Sequence, residues 1–471
     1  MDPKSVVMIA YFFPPEGNAA VYRPLRFLKG LVKEGWHVAV ISCEPYRYER
    51  YDQALLEQVP LNVQVVRVKG RDPWRAVQSK RGTQTKIKLS NLSTEEARRA
   101  VAVHHSPWRS RLREWVRIAE TWVYRPDMAM PWIRPAVQAS IEVCQSNRPS
   151  VIWATIGPLS AGLVAYRTSV ATGIPYVLDF RDPWGLEYYP HEIRRPAWAK
   201  EIDNRNMCRL FKKAQAVVFM FESVAQAYLR AFPGALERTK IHIIPNGFEG
   251  EVESFVHAPG NRCTVLYAGT LSTYRHDTLL EGLAELKRQD PALAARLRML
   301  FVGEGLQQLA ERVADLDLRD MFEIRPPVPS AEVRRLQREA HALLVLGRMP
   351  GRAAHDLVAG AKLFGYLQAG RPIIGIVPRD ETRRILGQVG SSLTADADSP
   401  SEVVTVMKKI LEAWSSTTLE QFIPNRASCE AYSSNRQISD LITAVNGASA
   451  EKVPTAEVPA MPINLRSEVT R

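Results

Sequence analysis

The chain has 471 residues, of which 46% are hydrophobic and 24% are charged, a composition typical of globular proteins with two or three domains. The net charge of +12 favours polyanionic partners such as anionic lipid, nucleic acid or phosphorylated substrates. The five cysteines are far apart and odd in number, which argues against a zinc site and a disulfide framework. Because no apolar leader and no run of 18 apolar residues occurs, we expect a cytoplasmic protein.

In the first half of the chain, short apolar segments alternate with helical patterns. Residues 6–13 predict a strand, the apolar spacing from Val21 predicts a helix, and residues 37–42 predict a second strand. Further strands are predicted at residues 63–68, 151–155, 176–180, 216–219 and 241–244. Such alternation predicts a parallel, doubly wound sheet, and we assign residues 1–250 to a first Rossmann-like domain.

A turn follows the first strand and contains Gly17 and Asn18, with Arg23 in the helix behind it. Ligands of open parallel sheets bind at the carboxyl ends of the strands, so we expect these three residues to form an acceptor or phosphate loop. The alternative for Arg23 is a solvated position in the first helical turn.

A basic segment at about residues 70–130 interrupts the first domain. Between Arg71 and Arg125 there are 13 Lys and Arg residues against 5 Asp and Glu residues, with four tryptophans among them. Basic residues beside tryptophans are typical of a membrane surface or a nucleic-acid face. The alternative is a solvated insertion whose tryptophans pack on the domain.

The alternating pattern restarts after an acidic, irregular linker at residues 249–261. Strands are predicted at residues 264–268, 298–302, 322–324, 342–346 and 372–377, which gives a second Rossmann-like domain over 262–420. A helix within 421–446 is expected to return to the first domain, and 447–471 is expected to be a disordered tail. Two such domains face each other across a cleft, the usual ligand site.

Two cations of the second domain lie at predicted carboxyl ends of strands. Arg275 follows the strand that ends before Gly269, and Lys362 begins a helix that Gly370 closes. Two cations facing one cleft can neutralise a diphosphate leaving group. The turn Gly303-Glu304-Gly305 is compatible with a phosphate cradle and equally with a simple tight turn.

Candidates for proton transfer are Asp179 and Asp182, which flank Arg181 at the end of a predicted strand. A carboxylate held ionised near arginine can accept a proton or a hydroxyl hydrogen bond, although a structural Asp–Arg pair explains the pattern equally well. The sequence has no Gly-x-Ser-x-Gly, no Asp-x-Asp and no histidine cluster. We therefore expect neither a serine hydrolase nor a metal site.

Taken together, these segments resemble bacterial glycosyltransferases of the family 4 type, which have the GT-B fold. The motifs that carry the resemblance occur in the order of the family: Pro14-Pro15-Glu16-Gly17-Asn18 with Arg23-Pro24, Arg125-Pro126-Asp127 with Trp132, 179–184, Ile244-Pro245-Asn246-Gly247, Gly269-Thr270 with Arg275, Val302-Gly303-Glu304-Gly305, and Lys362-Leu363-Phe364 with Tyr366. The resemblance implies a retaining transferase that uses a nucleotide diphosphate sugar as substrate and needs neither metal nor cofactor. It also places the donor on the second domain and a glycan or lipid-linked acceptor on the first.

The resemblance assigns roles to individual residues. Arg275 and Lys362 would hold the donor phosphates, and Asp179 or Asp182 would face the acceptor. Residues expected to bind the rest of the donor are Gly269, Gly303, Glu304, Gly305, Asp356 and Gly365. The chain departs from the family at Gly365 and Leu357, where a pair of glutamates is usual, with Asp356 as the neighbouring substitute.

The predicted function is therefore transfer of a sugar in bacterial surface polysaccharide or glycolipid synthesis, at the inner face of the plasma membrane. The basic insertion would contact anionic lipid, and no nucleic-acid partner is expected. Two alternatives stay open. Because Gly365 and Leu357 replace the usual glutamates, one is a degenerate GT-B protein that acts as a non-catalytic binding or scaffold partner. The other is a sugar-nucleotide epimerase, which would have a similar two-domain build.

Overall fold

The computed structural model describes residues 4–44, 51–70, 124–188, 192, 195–349 and 355–450. Most of the predicted basic insertion, residues 71–123, and most of the predicted tail, residues 451–471, lie outside the described residues. Within the described ranges, no helix combines the length and the apolar character needed to cross a bilayer.

The first sheet has seven parallel strands in the order β3-β2-β1-β4-β5-β6-β7 within the described residues. Its strands are β1 (Ser5–Ile9), β2 (His37–Cys43), β3 (Gln64–Val68), β4 (Val151–Ile156), β5 (Tyr176–Phe180), β6 (Ala216–Phe219) and β7 (Ile241–Ile243). The central strands β1, β4, β5 and β6 are buried along their whole length. Burial on both faces explains why they consist of apolar runs rather than alternating polar and apolar residues.

Helices cover both faces of this sheet. They are α1 (Tyr22–Lys33), α2 (Gln53–Leu56), α3 (Met130–Asn147), α4 (Ser160–Thr172), α5 (Ala197–Lys213) and α6 (Glu222–Ala231), with 3-10 turns at Ala19–Val21 and Arg238–Lys240.

The second sheet has six parallel strands in the order β10-β9-β8-β11-β12-β13 within the described residues. Its strands are β8 (Cys263–Ala268), β9 (Leu297–Val302), β10 (Phe322–Arg325), β11 (Ala342–Leu346), β12 (Ile373–Ile376) and β13 (Thr394–Ala395). The helices after the first sheet are α7 (Asp277–Gln289), α8 (Pro291–Ala294), α9 (Gln307–Asp315), α10 (Ser330–Glu339), α11 (Lys362–Gln368), α12 (Glu381–Gln388), α13 (Pro400–Ser415), α14 (Arg426–Glu430) and α15 (Ser434–Ala450), with 3-10 turns at Arg319–Met321 and Leu419–Phe422.

The predicted fold class, α/β with two Rossmann-like domains, is confirmed by these two parallel sheets. The sequence analysis did not include the edge strand β13 or the helices α10, α12 and α13. The helices α10 and α12 contain few apolar residues, and β13 has only two residues.

The last helix, α15, packs on the first sheet although it follows the second one in the chain. Its Ile438, Leu441 and Val445 share a buried core with Leu28 and Leu31 of α1. The contact is close at Gly30, where an added Cβ would lie 2.2 Å from Cδ1 of Ile438. The end of the chain therefore completes the core of the N-terminal domain.

Direct contacts also join the two domains beside the cleft. Ser223, at the start of α6, donates its hydroxyl to the carbonyl oxygen of Leu357 and to Glu381 Oε2, each at 2.9 Å. Next to it, the rings of Phe221 and Phe364 stack with their centroids 6.5 Å apart. These contacts fix the position of α11 relative to the first sheet.

Candidate functional site

The candidate donor site lies at the carboxyl ends of β8, β9 and β11. The loop after β8 and the loop after β9 are joined by backbone hydrogen bonds, from Gly269 N to Val302 O at 2.9 Å and from Leu271 N to Glu304 O at 3.0 Å. The β8 loop also pairs with the β11 loop, because Arg275 N donates to Gly347 O at 2.9 Å. Three loops thus form one continuous wall.

Glycines allow these loops to approach one another closely. Gly303 has φ +153°, and an added Cβ would lie 2.1 Å from the carbonyl oxygen of Gly269. Gly269 has φ +134°, and its added Cβ would lie 3.3 Å from Nζ of Lys362. Residues with a side chain rarely adopt either conformation. Both predicted glycines therefore shape the site, and Gly269 leaves space for the lysine ammonium.

The Lys362 ammonium is held against two tyrosine rings. Its Nζ lies 3.8 Å from the ring centroid of Tyr267 and 4.1 Å from that of Tyr274, and it donates to the Tyr267 hydroxyl. Burial, and then the nearby charge of Arg348, lower the pKa of Lys362 to about 7. No carboxylate among the described residues offsets these two effects. The site therefore holds a cation that lacks a counter-ion.

Arg348, two residues beyond the end of β11, is a functional candidate that the sequence analysis missed. Its Nη1 donates to the hydroxyl of Tyr188, from the other domain, at 2.8 Å. Its Nε is buried and has no hydrogen-bond partner among the described residues. The sequence signal that indicated Arg275, a cation in the loop after a strand of the second sheet, could also have indicated Arg348.

Arg275, the other predicted phosphate ligand, makes an ion pair with Asp398, whose side chain is 71% exposed. The arginine side chain itself is 23% exposed. Because an exposed carboxylate is well hydrated without its partner, this pair is weakly held. Arg275 is thus at the predicted loop, but its guanidinium points to Asp398.

The other predicted donor-binding residues occupy different surroundings. Glu304 has an exposed side chain, and its carbonyl oxygen receives Leu271 N. Gly305 has φ +71°, and an added Cβ would lie 3.1 Å from Cβ of Ser272. The side chain of Asp356 is exposed, and its carbonyl oxygen accepts from Glu381 N at 3.1 Å.

Gly365 has open space around it. An added Cβ would meet only the side-chain amide of Gln337, at 4.0 Å. The residue lies in the middle of α11 with ordinary helical geometry and is half-buried. The absence of a side chain here is therefore not required by packing or by the backbone conformation.

The structure places Arg23, predicted for the acceptor loop, and Asp179, predicted for proton transfer, inside the first domain. They form a buried ion pair at 2.7 Å, with side chains 3% and 0% exposed. The remaining donors of Arg23 bind the carbonyl oxygens of Ile244 and Pro245, at 2.8 and 3.1 Å. Each charge is thus paired within the protein, and both side chains are almost inaccessible to solvent.

The other two residues of the predicted loop, Gly17 and Asn18, are half-buried after β1. Oδ1 of Asn18 accepts from Ala20 N at 2.8 Å and caps the 3-10 turn before α1. Asn18 is thus engaged in local structure.

Asp182, in contrast, lies on the cleft side of the first domain. The pKa of Tyr188 is raised by burial and then by the charge of Asp182. Asp182 also interacts electrostatically with Arg348. The N-terminal domain therefore presents one carboxylate and one phenol towards the cations of the C-terminal domain.

No group of three or more His, Cys, Asp or Glu side chains that could hold a metal ion occurs in the described part of the chain.

A family model for the glycosyl transferase 4-like domain matches residues 19–247. The matched residues cover most of the N-terminal domain and just under half of the chain. A D-inositol 3-phosphate glycosyltransferase from Frankia alni is 35% identical to this chain over 155 residues, which are 31% of this chain and 36% of that protein. The match therefore spans about a third of the length of this curated relative.

Solved structures resemble the whole described fold. HepE of Anabaena, solved in complex with UDP, has a TM-score of 0.60 and 12% identity, with 94% of this chain and 100% of that chain covered. A glycosyltransferase from Rickettsia africae has a TM-score of 0.59 and 12% identity, with coverage of 95% and 98%. Sucrose-phosphate synthase from Thermosynechococcus elongatus has a TM-score of 0.58 and 12% identity, with coverage of 95% and 99%. These similarities show the GT-B fold.

Proposed function

We propose that this chain transfers a sugar from a nucleotide diphosphate donor, bound on the C-terminal domain, to an acceptor on the N-terminal domain. The observation that carries the proposal is the half-buried side chain of Lys362, whose ammonium lies against the ring of Tyr267 and near the charge of Arg348, at the carboxyl ends of β8 and β11. Cations fixed in a site of low polarity stabilise the negative charge that grows on a departing diphosphate. These cations would stabilise the departing diphosphate in place of a metal ion. The resemblance to family 4 glycosyltransferases suggests that the sugar keeps its anomeric configuration.

The similar proteins support a nucleotide sugar as the donor. HepE was solved with UDP and also with UDP-glucose, and the Frankia relative is named as a glycosyltransferase of inositol phosphate. From these proteins we carry over to this chain only the class of donor, which is a sugar attached to a nucleoside diphosphate. Asp182, which faces the cleft, is our candidate for the acceptor-side carboxylate; its proposed role is to orient or deprotonate the attacking hydroxyl.

For the acceptor we propose a lipid-linked glycan of surface polysaccharide or glycolipid synthesis, reached at the inner face of the plasma membrane. A groove of about 1060 Å³ on the N-terminal domain supports this location. It is lined by apolar residues such as Ile133 and Leu163 and by Arg125, Arg134 and Arg167. A surface that combines apolar residues with arginines suits anionic lipid.

Vesicle sedimentation tests the membrane proposal. We expect the full chain to bind vesicles that contain anionic phospholipid, with binding that weakens as salt is added, and to remain free with neutral vesicles. Equal recovery on both kinds of vesicle would contradict it.

Calorimetric titration of the folded protein with UDP, GDP and dTDP tests the donor site. We expect binding of at least one nucleotide in the presence of EDTA; failure of all three to bind would overturn the proposed function.

Turnover of the matching nucleotide sugar, followed by NMR, then distinguishes a transferase from an epimerase. A transferase releases nucleoside diphosphate only with an acceptor, and the anomeric signal of its product tests retention. An epimerase would form a sugar isomer without any acceptor.

The second candidate function is a non-catalytic binding partner with the same fold. The observation that favours it is the open space at Gly365, where a donor-binding side chain could fit and is missing. This candidate predicts that the protein binds a nucleotide but does not turn over any nucleotide sugar when it is tested with a panel of lipid-linked acceptors.

A further inference from the structure

We propose that the C-terminal domain carries a second anion site, in a cavity between α10 and the second sheet, which binds the phosphate group of a small molecule. The cavity has a volume of about 360 Å³, at the lower end of the range for small-molecule sites. This inference goes beyond the proposed function and does not depend on it.

The cavity is separate from the candidate donor site. Thr264 and Arg298, which line it, are each the second residue of their strand, in β8 and β9. The donor site lies at the carboxyl ends of the same strands, roughly 15 Å further along an extended chain. Neither Lys362 nor Arg348 lines the cavity. A ligand bound here would therefore not occupy the donor site.

The walls of the cavity are basic. Arg335 of α10 binds Glu332 and Glu339 of its own helix, with N–O distances of 2.8 and 2.6 Å, so its charge is neutralised locally. The other arginines lie on the sheet side, and among the described residues a single carboxylate, that of Glu323, forms ion pairs with them. The charged residues that line the cavity are Arg262, Arg298, Arg325, Arg335 and Glu339.

Glu323 brings two of the sheet-side arginines together. Nε of Arg298 donates to its Oε2 at 3.0 Å, and Nε of Arg325 donates to its Oε1 at 2.6 Å. Two guanidiniums thus share one carboxylate, which leaves a net positive charge. The arginine side chains are 35% and 37% exposed, and an ion pair this accessible to solvent contributes little net stability. A phosphate can therefore compete with Glu323 for both arginines.

Each sheet-side arginine also keeps a donor for a ligand. Arg298 and Arg325 use Nε and Nη2 to bind Glu323. Arg262 uses Nη2 to bind two backbone carbonyl oxygens and has no carboxylate partner among the described residues. Nη1 of all three makes no hydrogen bond within the described part of the chain. Guanidiniums suit phosphate because several N–H donors can bind its oxygens together.

The remaining walls can hold the organic part of a ligand. Leu300, Leu336 and Ala340 are buried and form an apolar wall, and residues 259–261 complete the rim. We therefore expect the phosphate of a small metabolite to fit the cavity as well as free phosphate does.

The test follows binding of inorganic phosphate and of ribose 5-phosphate to the full chain by ³¹P NMR. We expect saturable binding of at least one probe, weakened about 10-fold by Arg298→Gln and by Arg325→Gln, since each variant loses a charge-assisted contact. Arg205→Gln is the matched control: it removes an exposed arginine paired with Glu201 on α5 and should change affinity by less than about twofold. Thermal unfolding verifies that each variant is folded.

Glu323→Gln distinguishes anion binding from a structural role, because it predicts a gain. The amide has the shape of the carboxylate and still accepts a hydrogen bond, but it no longer competes as a charge for Arg298 and Arg325. We expect the affinity for phosphate to rise about threefold or more. A gain of affinity cannot arise from a folding defect, and an unchanged or weaker affinity would overturn the inference.

Lys362→Gln locates the bound probe. Because this donor-site lysine lies beyond the range of screened charge interactions, the variant should keep the affinity for phosphate within about twofold. Loss of binding in Lys362→Gln without any effect of Arg298→Gln would place the probe in the donor site and contradict the inference, as would the absence of binding of both probes to the unchanged protein. Tighter binding of ribose 5-phosphate indicates a phosphorylated metabolite as the ligand, and equal affinities indicate free phosphate.

Discussion

Arg23 and Asp179 are 156 positions apart in the sequence and form an ion pair at 2.7 Å that is almost completely inaccessible to solvent. Arg23 comes from α1, and Asp179 is next to the last residue of β5. The same guanidinium binds the chain that leaves β7, through Ile244 O and Pro245 O. One side chain thus connects three segments at the carboxyl edge of the first sheet.

This pair predicts a large loss of stability when one partner is removed. Arg23→Gln or Asp179→Asn leaves a buried charge without its counter-ion, and we expect the free energy of unfolding to fall by about 3–5 kcal/mol. Urea denaturation measures the change. Lys29→Gln, which breaks the exposed pair with Glu249, is the control and should cost less than about 1 kcal/mol. An Asp179→Asn variant that keeps full stability but loses turnover would restore the catalytic role predicted from the sequence.

The sequence was sufficient to predict the two sheets because their strands are buried on both faces. Continuous apolar runs such as those at β4, β5 and β11 are visible without any knowledge of their neighbours. The roles of Arg23 and Asp179 were not predictable in the same way. A carboxylate at the end of a strand, such as Asp179, is typical of a functional site. Only the three-dimensional structure reveals that Arg23, far away in the sequence, forms an ion pair with it.

Within the candidate site, the sequence predicts Lys362 but neither its surroundings nor Arg348. Lys362 could be predicted because it begins a helix inside a recognisable motif. Its burial depends on Tyr267 and Tyr274, nearly a hundred residues earlier, which no local pattern connects to it. Arg348 lies in no recognisable motif. Its place in the site follows from the backbone bridge between Tyr274 and Arg348, and from its Nε, which has no partner among the described residues.

The lowered pKa of Lys362 predicts how stability depends on pH. Its folded pKa of about 7 lies below the ordinary value of 10.5, so between these values the unfolded chain binds more protons at this position. The lysine therefore makes the free energy of unfolding rise with pH across that window, and its destabilising contribution is fully present below about pH 7. Denaturation of the unchanged protein and of Lys362→Met at several pH values measures it; parallel curves would contradict the lowered pKa.

The same titration predicts weaker donor binding in alkaline solution. Above about pH 7 the ligand phosphates are already ionised, whereas the free lysine loses its proton. We expect nucleotide affinity to decrease as the pH rises from about 7 to 9. Lys362→Arg, which stays protonated, should have a flat profile over this range, and an unchanged slope in this variant would assign the titration to another group.

Gly365→Glu should be accommodated by the fold. An added Cβ meets only the side-chain amide of Gln337, and replacement of a glycine in mid-helix stabilises α11 by up to about 1 kcal/mol. If this position faces the donor ribose, affinity for the ribonucleotide should rise about 10-fold through a new hydrogen bond to the diol, with little change for the matching deoxyribonucleotide. Gly365→Ala controls for helix propensity. Equal affinities of the glycine and glutamate variants would mean that the position does not face a ribose.

The contact between Gly30 and Ile438 predicts a pair of compensating substitutions. Gly30→Ala places a Cβ within 2.2 Å of Ile438 Cδ1, and we expect overpacking to cost about 1–3 kcal/mol even though alanine favours the helix. Ile438→Ala alone should cost about 2–4 kcal/mol, because it leaves a cavity between α1 and α15. The double variant should be more stable than the sum of the single losses predicts, since the new methyl group occupies part of that cavity. A double-mutant cycle in urea measures the coupling, and strict additivity would show that α15 does not pack on α1 in solution as it does in the structure.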